Sequence, residues 1–168
     1  MGEGVILKGR YIALLITLAV VMNVICVWLF CTLGEMIAQG EYRKYNKGVT
    51  IEVNNLSNQS LPDLIFSYSV NQTDFKEVGT IKNLKAGEKT QITGSSKEIK
   101  TSDTSLYLHY YINNGGKAVN SLAYFYIAEP RKAVIVLNIY EVKPHGFLKY
   151  EYRGYSGWDQ YGPDKINY

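Results

Sequence analysis

Two histidines and, beyond residue 31, no cysteine limit the chemistry this sequence can carry. His109 and His145 fall on separate segments and share no ligand motif. Neither H-E-x-x-H nor G-x-S-x-G occurs, and the sequence has no phosphate-cradling glycine loop and no D-x-D-x-D calcium loop. Asp103, His109 and a serine are the residue types of a nucleophilic triad, but a triad is a matter of geometry and the spacing selects no serine. His109 alternates with Tyr107 and Tyr111 and is expected at the surface, stacked between those rings. His145, between Pro144 and Gly146, reads as a turn residue. No residue set calls for a metal or a cofactor, so catalysis ranks behind binding and a structural role.

Aromatic side chains are the better lead. The sequence holds 15 tyrosines. Tyr107, His109 and Tyr111 line one face of an expected strand, and Tyr150, Tyr152, Tyr155, Trp158, Tyr161 and Tyr168 crowd the C-terminal segment. Exposed rings with polar tips suit a protein or glycan partner, because they offer large contact area at low entropy cost. The competing role is structural, with the rings covering the ends of a domain or pairing across strands. Trp158 and Tyr155 follow the last expected strand and are the leading contact candidates, then Tyr107 and Tyr111. A formal net charge of +3 with scattered lysines argues against a nucleic-acid partner.

These residues need a scaffold, and its first element is Tyr11 to Leu33. This stretch has no charged residue and is apolar all round, whereas a buried core helix of that length would show a polar face. As a helix it spans roughly 34 Å, enough to cross a hydrocarbon layer of about 30 Å. It is longer than the apolar part of a signal peptide, and Met36-Ile37-Ala38 puts a bulky side chain where cleavage needs a small one. An uncleaved single-pass anchor is therefore expected. Lys8 and Arg10 precede it and Glu35 follows, which makes residues 1–10 a cytoplasmic stub and the rest extracytoplasmic. Asn23 is the strongly polar side chain within it and a candidate helix–helix contact, with Gly9, Ala13 and Thr17 as a small-residue row. The alternative is an amide tolerated in an apolar segment. Cys26 and Cys31 do not face one another on a helix, so no disulfide between them within one chain is expected.

Residues 34–47 mix charge and glycine and read as a juxtamembrane spacer, with the helix running a turn or two into it. From Val49 the hydrophobic period changes to two. Strands are expected at 49–54, 64–70, 78–84, 90–93, 106–112, 119–127, 133–142 and 147–153, with 94–104 an exposed loop. Asn113-Asn114-Gly115-Gly116 is a hairpin signal, because these residues accept positive φ at little cost. Ala133 to Val142 is apolar on both faces and is expected to be central and covered on two sides. No convincing helix follows the anchor. About eight short strands at this spacing predict an all-β fold, an immunoglobulin-like β-sandwich over residues 48–154, followed by an aromatic tail at 155–168.

Val53, Asn55, Ser57, Leu61, Leu64, Phe66 and Tyr68, followed by Leu84-x-Ala86-Gly87-Glu88, resemble the V-x-N-x-S…L-x-P-G-E pattern of bacterial extracytoplasmic immunoglobulin-like modules of the FxLYD type. The resemblance covers about residues 49–93, and the F-x-L-Y-D signature itself is replaced by Phe66-Ser67-Tyr68-Ser69-Val70. It implies a module that binds or spaces. Three Asn-x-Ser/Thr triplets, at Asn55, Asn58 and Asn71, would carry glycans in a eukaryotic secretory protein. The cysteine-free outer part and the Lys/Asn/Tyr-rich composition point instead to a bacterium. The sequence thus predicts a membrane-integral protein whose outer domain contacts a cell-surface protein or glycan. The alternative is an accessory subunit of a membrane complex that uses the domain as a spacer.

Overall fold

The computed structural model describes residues 3–157 and 159–166, with side chains described over 9–157 and 159–162. The chain forms two compact units, Met1–Gly40 and Glu41–Tyr168. The first is helix α1, Glu3–Gln39, whose 37 residues extend the expected span in both directions. At 1.5 Å per residue it reaches roughly 55 Å, more than a hydrocarbon layer needs. Its apolar side chains are exposed on every side, from Tyr11 and Leu14 to Trp28 and Phe30. It is long and apolar enough to cross a membrane. Its polar side chains bond to their own helix: Thr17 Oγ1 to the Ala13 carbonyl and Asn23 Nδ2 to the Ala19 carbonyl, both at 2.9 Å.

The second unit holds β1 (Gly48–Asn55), β2 (Leu64–Ser69), β3 (Lys76–Ile81), β4 (Lys89–Gly94), β5 (Thr104–Tyr111), β6 (Lys117–Phe125), β7 (Lys132–Val142), β8 (Leu148–Ser156) and β9 (Asp159–Ile166). One sheet has the order β4-β1-β7-β8-β9 and the other β3-β2-β5-β6. The β1–β7 pairing is parallel and the others are antiparallel. The two sheets share one core. Val49, Ile51, Val53, Ile135, Leu137 and Tyr150 face it from the first, and Leu64, Phe66, Leu106, Leu108, Tyr110 and Phe125 from the second. The sequence periodicity located eight of these strands. The ninth is a correction: residues expected in a C-terminal tail pair with β8, from Ser156↔Asp159 to Tyr150↔Ile166. Gly154 makes this fit, because a Cβ there would run into the Tyr161 ring and the Val134 carbonyl.

Strand β7 is central in its sheet, and Ala133 through Leu137 are buried in succession. Its outer-face residues Val134 and Val136 alternate with Ile135 and Leu137, which face the core. On that outer side lies part of the segment expected to be a spacer. Gly40–Lys44 is a 3₁₀ turn, with Tyr42 and Tyr45 both buried. Tyr42 stacks on Tyr45 and on Tyr155, with ring centroids 6.5 and 6.0 Å apart. Lys132 Nζ donates to the Tyr42 carbonyl at 3.3 Å, and Arg153 pairs with Glu41 at 3.0 Å. Buried Glu52 accepts from Tyr45 Oη at 2.8 Å and pairs with Lys89 at 2.9 Å. Burial alone would raise the Glu52 carboxyl pKa, but hydrogen bonds from Lys89, Tyr45 and Asn54 outweigh it and hold the group below its usual range. Burial, and then the bond to Glu52, push the Tyr45 phenol up.

The direction of the strands gives this unit two ends. β1 runs from Gly48 at the near end to Asn55 at the far end, roughly 23 Å away at about 3.3 Å per residue. The parallel β7 brings Val142 to the far end, and β5 delivers Tyr111 there.

Candidate binding surface

Three turns meet at the far end and enclose a groove of about 650 Å³. The β1–β2 loop contributes Asn58, Gln59 and Ser60, the end of β5 contributes Tyr111, and the end of β7 and the turn after it contribute Glu141 and Lys143. The volume falls within the range of about 300–1,000 Å³ typical of ligand sites. Tyr111 is 56% exposed. Asn58, Gln59, Ser60 and Glu141 are exposed as well, and their side chains make no hydrogen bond among the described residues.

The walls of this groove are fixed by polar contacts behind them. Asn55 is fully buried, and its Nδ2 donates to the carbonyls of Gln59 (2.8 Å) and Leu84 (3.0 Å). Its Oδ1 accepts from the Ser57 backbone N–H (3.1 Å) and hydroxyl (2.6 Å). The β1–β2 loop is thereby tied to the segment before β4, where the Leu61 N–H also reaches the Leu84 carbonyl at 2.9 Å. On the opposite wall Asn113 Nδ2 donates to the Pro144 carbonyl at 2.7 Å and the Asn113 N–H to the His145 carbonyl at 3.2 Å. Gly146, at φ 86°, lies so close that a Cβ would come within 2.9 Å of the Asn113 nitrogen. Behind both walls, the Leu148 N–H donates to Tyr110 Oη at 3.3 Å and joins the two sheets.

A second aromatic surface lies at the near end, on β6 and the segment after it. Tyr124 is 42% and Tyr126 72% exposed, and their rings meet edge-on at 4.9 Å. With Ile127, Ser156, Gln160 and Tyr161 they line a smaller cavity of about 240 Å³. Asp103 Oδ1 accepts from Tyr124 Oη at 2.7 Å.

The residues singled out in the sequence separate cleanly. Tyr111 is on the groove. Tyr107 and Tyr155 are corrections: both are buried, so neither ring is open to a partner. Phe75, from the β2–β3 loop, packs edge-on against Tyr107 at 5.3 Å, while Tyr155 lies under Tyr42 and its hydroxyl donates to the Gly157 carbonyl. Trp158 lies outside the described residues. Asn23 sits on the exposed helix with its amide N–H bonded internally.

His109, expected at the surface, is buried beneath Phe75, with ring centroids 4.6 Å apart. Its Nε2 lies 2.5 Å from Ser67 Oγ. Its Nδ1, the atom a triad carboxylate would hold, is buried without a hydrogen-bond partner among the described residues. Asp103 is engaged by Tyr124, so Asp103, His109 and Ser67 do not converge. Burial, with Lys117 adding to it, pulls the His109 pKa below 6.5. His145 is an exposed turn residue, as its neighbours predict. The Asn55 triplet is closed to modification by burial, whereas Asn58 and Asn71 are exposed.

Sequence reasoning missed Glu141 and Lys143, because a strand end and the turn after it give no local sign of facing another loop. It read Asn58-Gln59-Ser60 only as a loop. The three polar residues and the strand-ending Tyr111 lie far apart in the chain, and no local pattern links them.

No protein-family model matches the chain, and no curated protein matches it. A protein from Eubacterium rectale solved by NMR is similar over 64% of this chain and 89% of its own, at 9% identity and a TM-score of 0.32. That likeness is too distant to transfer a fold or a function.

Proposed function

We propose that this chain is a bacterial single-pass membrane protein whose outer unit is an immunoglobulin-like binding module. The unit is extracytoplasmic and contacts a cell-surface protein or glycan through the far-end groove. The observation that carries this reading is the pairing of an exposed ring, Tyr111, with unbonded polar side chains on walls held from behind by Asn55 and Asn113. Contact residues on a fixed frame lose little freedom on binding. The uncharged span of α1 and the basic residues before it support the anchor and its orientation. The two sheets around one core support the immunoglobulin-like build.

Two measurements test this reading. Protease added to intact spheroplasts should digest residues 41–168, and protection would overturn the orientation. A photo-crosslinking amino acid replacing Asn58 in the full chain should give adducts in intact cells, and Tyr111→Ala should abolish them. The same group replacing Lys97 at the near end serves as the control. Equal labelling from both positions, or none from position 58, would overturn the groove as a contact surface.

A further inference from the structure

We infer that the far-end groove takes an uncharged oligosaccharide. This rests on the groove being the contact surface and names the class of its ligand.

Tyr111 offers a flat ring, 56% exposed, on which the C–H face of a sugar can stack. Beside it, the amides of Asn58 and Gln59 and the hydroxyl of Ser60 both donate and accept hydrogen bonds. Sugar hydroxyls have the same dual character and match such groups in pairs. None of these side chains is engaged by another among the described residues.

A peptide fits less well. A peptide strand adds to a sheet through a free backbone edge. The strands that reach the groove have none, because β5 lies between β2 and β6, and β7 between β1 and β8. The groove's apolar lining is limited to Pro62, Val142 and Pro144, small side chains beside a larger polar lining, since Leu61 turns into the core at 4% exposure. Charge narrows the class further. Glu141 and Lys143 are opposite in sign, so the groove's lining carries no net charge to attract a polyanionic glycan.

The test uses the full chain in lipid nanodiscs, titrated with N-acetylhexosamine oligomers, hexose oligomers and uronic acid polymers. Binding is read by saturation-transfer NMR and calorimetry. At least one neutral oligomer should bind with little salt dependence, and the uronic acid polymers should not. Tyr111→Ala should weaken that binding about tenfold or more, as expected for a hot-spot ring. Tyr111→Phe keeps the stacking face and should retain binding to within about threefold. Gln59→Ala should also weaken binding, with an unchanged melting curve. Failure of every neutral oligomer to bind, or binding indifferent to Tyr111→Ala, would overturn the inference. A protein adduct at position 58 without oligosaccharide binding defeats the saccharide assignment alone. Loss of both defeats the groove reading with it.

Discussion

At the near end of the two-sheet unit the structure is closed by rings, and at the far end by hydrogen bonds. Near Gly48 the stack Tyr45–Tyr42–Tyr155 covers one sheet, and Tyr42 and Tyr155 are almost fully buried. Each ring removes a large apolar area from water, which stabilises without regard to direction. At the far end Asn55, Ser57 and Asn113 spend their amides and hydroxyl on backbone carbonyls and on each other. Such bonds add modest net stability but fix loop shape, and they leave the next residues along the loop free to face outward. The difference explains how tyrosines of similar promise in the sequence acquired opposite roles. Tyr155 holds the fold, whereas Tyr111 is available to a partner.

Tyr155→Ala should cost about 3–5 kcal/mol, in the range of large aromatic truncations, while Tyr111→Ala should stay within about 0.5 kcal/mol as an exposed substitution. Urea unfolding of the full chain measures both. Next come Ile135→Ala and Leu137→Ala in β7, at about 2–5 kcal/mol each, against about 0.5 kcal/mol or less for Thr90→Ala on the more polar β4. Equal small losses at these sites would mean that β7 is not the central strand. Asn55→Ala should cost about 1–3 kcal/mol, because buried partners lose their bonds. It should also loosen hydrogen-exchange protection at Leu61 and Gly87 without touching the Tyr42 stack.

The smallest effect is a pH dependence. His109 is held below its free value of 6.5 in the folded chain, so the unfolded chain binds its proton first. Its contribution is whole above about pH 6.5 and declines as pH falls from there towards the folded-state value. The unfolding midpoint of the parent chain should therefore fall more between pH 7.5 and 5.5 than that of His109→Asn. Parallel curves for the two chains would contradict the burial of this ring.

Much of the fold was legible because periodicity reports burial directly. Ala133 to Val142 read as covered on both sides, and Ala133 to Leu137 are, whereas Tyr140 and Glu141 farther along the strand are exposed. What covers its outer face was not legible, since Tyr42 and Tyr45 sit in a charged, glycine-containing stretch that resembles a spacer. The same gap misplaced Tyr155, whose cover lies more than a hundred residues earlier. Strand β9 was hidden by Gly157, Gly162 and Pro163, turn formers that here serve a tight hairpin and an edge strand. His109 alternated correctly onto the outer face, but that face is roofed by Phe75 from a loop, and loops carry no period. The groove was the least legible feature. The parallel β1–β7 pairing in one sheet and the β2–β5 pairing in the other bring its turns to the same end, and those non-local contacts leave no mark in any one segment.

Tyr111→Ala and Tyr155→Ala, compared in the full chain for urea stability and for adduct formation from position 58, test the division of roles most directly. Tyr111→Ala should keep its unfolding midpoint and lose the adduct, whereas Tyr155→Ala should lose about 3–5 kcal/mol. A Tyr111→Ala chain that unfolds as early as Tyr155→Ala, or that keeps the adduct in full, would contradict that division.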